Sequence, residues 1–212
     1  MLFRKTTNKF IILIASTLLI STISGCSTNK NVDISKQNEV NNVHKNKTSN
    51  DVIQNKKSPI ALEKAVVAKH IDGDTSVVKL ENGKEEKVRL IGVNCPESTK
   101  EHEPYGKEAS DYTKSQLIGR TVYLEKDVSD KDQYGRLLRY VWLEPPVDTG
   151  EQEVRTKMYN AILALNGYAV PYTFPPDVKY RDYFRQFSKE ARTASKGLWK
   201  INPKGTTRGD KF

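Results

Sequence analysis

Ser76-Val77-Val78-Lys79-Leu80-Glu81-Asn82-Gly83-Lys84 and Lys87-Val88-Arg89-Leu90-Ile91-Gly92-Val93 decide the fold, because they read as two strands on either side of a tight turn. The β-branched residues favour extended chain. Asn82-Gly83 tolerates the positive φ that such a turn requires. Upstream, Val66-Val67-Ala68 reads as a strand leading into the second through Asp72-Gly73-Asp74-Thr75, which taken alone is itself a turn sequence. The chain therefore opens its ordered part with a three-stranded antiparallel meander.

Working outward, Thr121-Val122-Tyr123-Leu124 and Leu137-Leu138-Arg139-Tyr140-Val141-Trp142 add two strands. Pro104 can begin a helix carrying Ala109, Tyr112, Gln116 and Leu117 and stopping at Gly119. Val154, Met158, Ala161, Ile162 and Leu165 share one helical face closed by Gly167. A last helix from about Asp177 puts Tyr180, Phe184, Phe187, Ala191 and Ala194 on one side and ends at Gly197. The expected fold class is α+β, mainly β: a five-stranded barrel of the oligonucleotide-binding (OB) type with about three helices.

The first 58 residues are of another kind. Arg4, Lys5 and Lys9 precede an apolar run from Phe10 to Ile20, shorter than the roughly 20 residues that span a bilayer. This is the pattern of an export signal, residues 1–25. It ends in Ile23-Ser24-Gly25-Cys26, which resembles a lipobox and implies lipidation of Cys26 and a membrane anchor outside the cytoplasm. Residues 26–58 are rich in Asn, Lys, Ser and Thr without apolar period, and read as a flexible linker. The globular domain is assigned to 59–200 and a basic tail to 201–212. The net charge of +9 is weak evidence for a polyanionic partner, since only +3 of it falls in residues 59–212. With Cys26 acylated, Cys95 is the one thiol left, which excludes an intrachain disulfide and fits a small buried apolar residue.

The residues that suggest chemistry sit where strands end. Asp72-Gly73-Asp74 joins the first two strands, and Arg89 lies in the third. Asn94-Cys95-Pro96-Glu97 leaves the third, and Asp132-Gln133-Tyr134-Gly135-Arg136 enters the fifth. In this order and spacing the set resembles the thermonuclease (staphylococcal or micrococcal nuclease) family, from about Leu62 to Trp199. The resemblance rests on I-D-G-D-T, R-L-x-x-V-x-x-P-E, Y-G-x-E-A, D-x-Y-G-R-x-L and a final helix ending G-L-W.

The resemblance implies a staphylococcal-nuclease-like hydrolase: a calcium-dependent, sugar-nonspecific endonuclease acting on DNA and RNA, working as a monomer. It implies Ca²⁺ held by Asp74, Asn94 and the carbonyl of Cys95, oxygen donors suited to a hard cation. Arg89 and Arg136 would bind phosphate oxygens and Glu97 would be the general base. Tyr172, Tyr134 and Tyr105 are the candidate substrate contacts. Each has a plainer reading. Arg89 and Glu97 could pair across a loop, Arg136 could be a solvated strand residue, and Asp72 is either a carboxylate tuning the metal or the turn residue. A noncatalytic barrel binding nucleic acid or protein is the alternative function. The chain departs from the family at Asn94, usually Asp, at Gln133, often Lys, and at Phe174, often Tyr. It also lengthens the connection Glu144–Gly150.

Overall fold

A computed structural model describes residues 60–206 and 208–210. The expected signal peptide, Cys26 and the expected linker lie outside the described residues.

The elements run β1 (Glu63–Asp72), β2 (Thr75–Leu80), β3 (Glu85–Leu90), β4 (Gly92–Asn94), α1 (Gly106–Leu117), β5 (Thr121–Glu125) and β6 (Leu137–Trp142). They continue with α2 (Glu151–Lys157), α3 (Tyr159–Leu165), β7 (Val170–Tyr172), α4 (Arg181–Thr193) and α5 (Leu198–Ile201). The five long strands close into a barrel in the order β1-β2-β3-β6-β5, and β4 pairs with β7 in a separate two-stranded ribbon. All barrel pairings are antiparallel except β3 with β6, where Val88, Arg89 and Leu90 stand opposite Leu137, Leu138 and Arg139. The expected five-stranded barrel is therefore present. The Asn82-Gly83 turn is also as expected: Gly83 takes φ 84° and Leu80 N–H donates to Lys84 O at 2.9 Å.

Alternation sends Ala65, Val67, Val78, Leu80, Val88, Leu90, Val122, Leu124 and Val141 inward. Helices α3 and α4 cover one side with Tyr159, Leu163, Phe184 and Phe187, all 1% exposed or less. Burying each such side chain stabilises the fold by about 1.5–3 kcal/mol. Two buried polar residues tie the layers. Asn160 donates to Ile91 O at 2.9 Å and accepts from Val141 N–H at 2.9 Å. Glu125 accepts from Trp142 Nε1 at 2.7 Å and from the Tyr180 hydroxyl at 3.1 Å. Neither residue carries a sequence signal beyond being polar.

Five expectations are corrected. The third strand does not run to Val93: it stops at Leu90, and Gly92, at φ 78°, turns the chain out of the barrel into β4. The single helix expected around Met158 is two, because Met158 is extended and bridges to Trp142, which raises the helical segments to five with α5. The buried face of α3 is carried by Leu163 and Ala164 rather than Ile162. The last long helix starts at Arg181, not Asp177, and Ala194 lies beyond its end, exposed. Asp177 instead accepts the Val128 and Ser129 N–H groups at 3.0 and 2.8 Å. The described residues after 200 do not stand apart as a tail: Asp210 bonds back to Pro171 of β7 and to Thr173 beside it.

Gly92 is the residue on which the exit of the chain depends. A Cβ there would stand 2.3 Å from Phe184 Cε2. Gly92→Ala is expected to destabilise the fold by about 3 kcal/mol, combining about 1–2 for left-handed backbone with about 1–3 for overpacking. Urea denaturation followed by tryptophan fluorescence measures it, and an unchanged midpoint would refute this account of the turn.

Candidate active site

The barrel twists β1 and β2 so that their connecting turn, Gly73–Asp74, meets the end of β3. Asp74 is 8% exposed there, and its carboxylate is fully engaged. Oδ1 accepts the Thr75 hydroxyl at 2.9 Å, and Oδ2 accepts the Cys95 N–H at 3.0 Å. Oδ2 also lies 3.0 Å from Arg89 Nη2. Arg89 in turn donates from Nη1 to Leu90 O at 2.5 Å and Val93 O at 2.8 Å, and from Nη2 to Asn94 Oδ1 at 3.1 Å. One guanidinium thus fastens the end of β3, the crossing at Gly92 and the start of the next loop.

Cys95 explains how the turn and that loop come so close. A Cβ on Gly73 would lie 2.7 Å from Cys95 Cβ and 2.8 Å from its Sγ. Cys95 is 4% exposed, and burial pushes its thiol pKa well up, so it stays a neutral packing group in the cleft wall. Asp72 Oδ1 accepts the Gly73 N–H at 2.8 Å and the Ser98 hydroxyl at 2.6 Å. Burial raises the Asp72 pKa, with the charges of Asp74 and Glu97 adding to it.

Glu97 heads the loop after Pro96. Its Oε1 accepts the Thr99 hydroxyl, the Thr99 N–H at 2.8 Å and the Lys100 N–H at 3.3 Å. The Thr99 hydroxyl is the main cause holding its carboxyl below the usual range, so Glu97 is ionised at neutral pH. Arg136 enters from the turn before β6. Asp132 accepts its Nε and lies 2.7 Å from its Nη2, and the guanidinium stands 5.5 Å over the Tyr134 ring. Burial alone would raise the Asp132 pKa, but the Arg136 and Tyr134 bonds bring it below the ordinary value.

These groups open onto one cleft of about 630 Å³. Asp74, Arg89, Asn94, Cys95, Glu97, Arg136, Tyr134 and Tyr172 all line it, together with Gln133 and Phe174. The ribbon places Tyr172 opposite Gly92 and Asn94 opposite Val170, so β7 forms one wall. Tyr134 and Phe174 project into solvent at 74% and 67% exposure. Tyr105 does not line the cleft. It precedes α1 at φ 72° and stacks on Tyr168 with ring centroids 5.6 Å apart. That left-handed residue is also why α1 starts at Gly106 rather than Pro104. Arg208 lines the cleft as well, and nothing in its surrounding sequence marked it. The Glu144–Gly150 segment does not border the cleft.

The oxygens that could hold a cation are a carboxylate, an amide and a main-chain carbonyl. No group of three or more His, Cys, Asp or Glu side chains suited to a metal gathers among the described residues. Asp74 Oδ2 and Asn94 Oδ1 converge on the same guanidinium nitrogen, at 3.0 and 3.1 Å. Cys95 O accepts the Asn94 amide at 3.0 Å. The first two oxygens converge, the third lies beside the Asn94 amide, and all three are hard donors that match Ca²⁺ in chemistry once Arg89 and the Asn94 amide cede them.

Comparison with known proteins shows the family. The family described as staphylococcal nuclease homologue matches residues 87–201. A thermonuclease of Staphylococcus hyicus is 41% identical over 136 residues, covering 63% of this chain and 73% of that protein. One from Staphylococcus intermedius is 41% identical over 140 residues, 65% of this chain and 76% of its own length. Endonuclease YncB of Bacillus subtilis is 30% identical over 215 residues, covering 95% of this chain and 96% of its own. The chain belongs to the staphylococcal nuclease homologue family.

Proposed function

We propose that this chain is a calcium-dependent, sugar-nonspecific endonuclease that hydrolyses phosphodiester bonds of DNA and RNA at the outer face of the cell membrane, anchored by lipid on Cys26. That it is a hydrolytic nuclease follows from its family and from relatives named thermonuclease and endonuclease. The observation that carries the finer reading is the meeting of Arg89, Arg136, Glu97 and the oxygens of Asp74, Asn94 and Cys95 in one cleft.

Hydrolysis adds negative charge to a phosphorus centre that is already anionic. Arg89 and Arg136 meet that charge with planar, bidentate donors: Asp132 fixes the Arg136 guanidinium in place, and Arg89 would turn to the phosphate once Asp74 and Asn94 give their oxygens to the cation. Glu97, ionised and held by the 97–100 turn, accepts a proton from the attacking water. Asp74, Asn94 Oδ1 and Cys95 O would hold Ca²⁺, which supplies a hard positive centre that polarises the phosphate. Tyr172 and Tyr134 supply contacts to the strand.

Cleavage of both DNA and RNA is expected to stop with chelator and return with Ca²⁺. Arg136→Ala and Arg89→Lys are expected to lower kcat by about 10²–10³, while binding in chelator changes only a few-fold. The lysine at 89 keeps a positive charge against Asp74, so loss of activity is separated from loss of fold. Near wild-type kcat in both variants would leave a noncatalytic binding barrel as the better reading.

The Glu97 assignment makes a pH prediction. A lowered pKa places the acid limb of kcat/KM below the ordinary Glu value of about 4.3. Thr99→Ala removes the largest cause of that lowering, so the limb is expected to move upward in pH. A limb that does not move would assign the proton acceptor elsewhere.

For the anchor, Cys26→Ala is expected to abolish partitioning into the detergent phase, because acyl chains hold the protein. Undiminished partitioning would overturn lipidation of Cys26.

A further inference from the structure

Beyond Trp199 the chain does not leave the domain. Gly205 packs beside Val170 and Trp199. Asp210 N–H then donates to Pro171 O at 2.8 Å, and its carboxylate accepts the Thr173 N–H at 2.9 Å and the Thr173 hydroxyl at 2.5 Å. Arg185 of α4 reaches the same carboxylate from Nε and Nη2 at 3.2 Å. Two residues earlier, Arg208 O accepts the Asn94 amide at 3.2 Å. The segment is thus tied at Asn94 and at Thr173, and both ties sit on walls of the cleft.

Arg208, whose carbonyl makes the first of those ties, lines the cleft with its side chain exposed. Its lack of a carboxylate partner sets it apart from the other two arginines there. Arg89 is matched by Asp74 and Arg136 by Asp132, whereas Arg208 forms no ion pair among the described residues. Glu97, Glu101 and Glu103 line the same cleft and repel a polyanion. A cation at this rim, on a segment that Asp210 ties to Pro171 and Thr173, offsets them.

Resting on the nuclease reading, we propose that Arg208 is a third phosphate-binding arginine. It grips a phosphate of the substrate strand flanking the one that is cut, and Asp210 acts as the positioning residue that holds it there. A contact to a non-reacting phosphate is made equally in ground state and transition state, so it governs KM and not kcat.

The test uses the full chain and a single-stranded oligonucleotide, with cleavage in Ca²⁺ and binding in chelator, each across a range of salt. Arg208→Ala is expected to raise KM about tenfold, the scale of one charge-assisted bond, with kcat within twofold. The slope of log affinity against log salt should fall by about 0.7, the loss of one phosphate contact on a single strand. Arg208→Lys should restore most of that slope. Asp210→Asn should raise KM by the same factor, and adding Arg208→Ala to it should add nothing. Unchanged KM and salt slope in Arg208→Ala, beside an active wild type, overturn the inference and leave the nuclease reading standing. So does a fall in kcat alone, which would mean that the segment acts through Asn94. A wild type that binds but does not cut overturns the nuclease reading alone, and the binding slope still decides the role of Arg208.

Discussion

The carboxylate of Asp74 is the point on which the site depends. It is sunk at the rim of the barrel and bonded to its own strand, to the loop after β4 and to the guanidinium of β3. Its partner Arg89 is as buried as it is, at 11% and 10% side-chain exposure. Removing one member of such a pair strands the other charge and commonly costs about 3–5 kcal/mol. The same ion pair sets the distance between the β1–β2 turn and the loop that carries Glu97.

Much of this was legible because it is local. Strands with β-branched residues, the Asn82-Gly83 turn and the Asp132–Arg136 turn each declare themselves within a few residues, and the barrel follows from them. What was not legible depends on partners distant in sequence. Gly92 breaks a run that reads as continuous strand because Phe184 fills the space beyond it. Met158 breaks a helix because Trp142 offers it a bridge. Tyr105 carries the composition of a substrate contact, yet Tyr168 takes its ring. Arg208 lies in a stretch whose basic character suggests solvent, and only the Asp210 bonds bring it home.

Asn94 gains a physical rationale from the same view. Its amide donates to Cys95 O and Arg208 O while its oxygen accepts from Arg89. A carboxylate at this position would have no proton to give and would face two carbonyl oxygens. The residue that departs from the family's usual Asp is thus the donor that connects the loop to the C-terminal segment, a demand that favours an amide.

The parallel pairing of β3 with β6 has a consequence for how the molecule is made. Val88 must find Leu137, about fifty residues later, after α1 and β5 have intervened. Contacts of that separation lose the most chain entropy on closing and so tend to slow folding. Until they form, the β1–β2–β3 meander has no seam, and the side of β3 that will receive β6 presents unpaired N–H and C=O groups. An open β edge of this kind is a template for a neighbouring chain. Lys84, Glu85, Glu86 and Lys87, with two charges of each sign, crowd the entrance to that strand and make it a poor match for a second copy of itself.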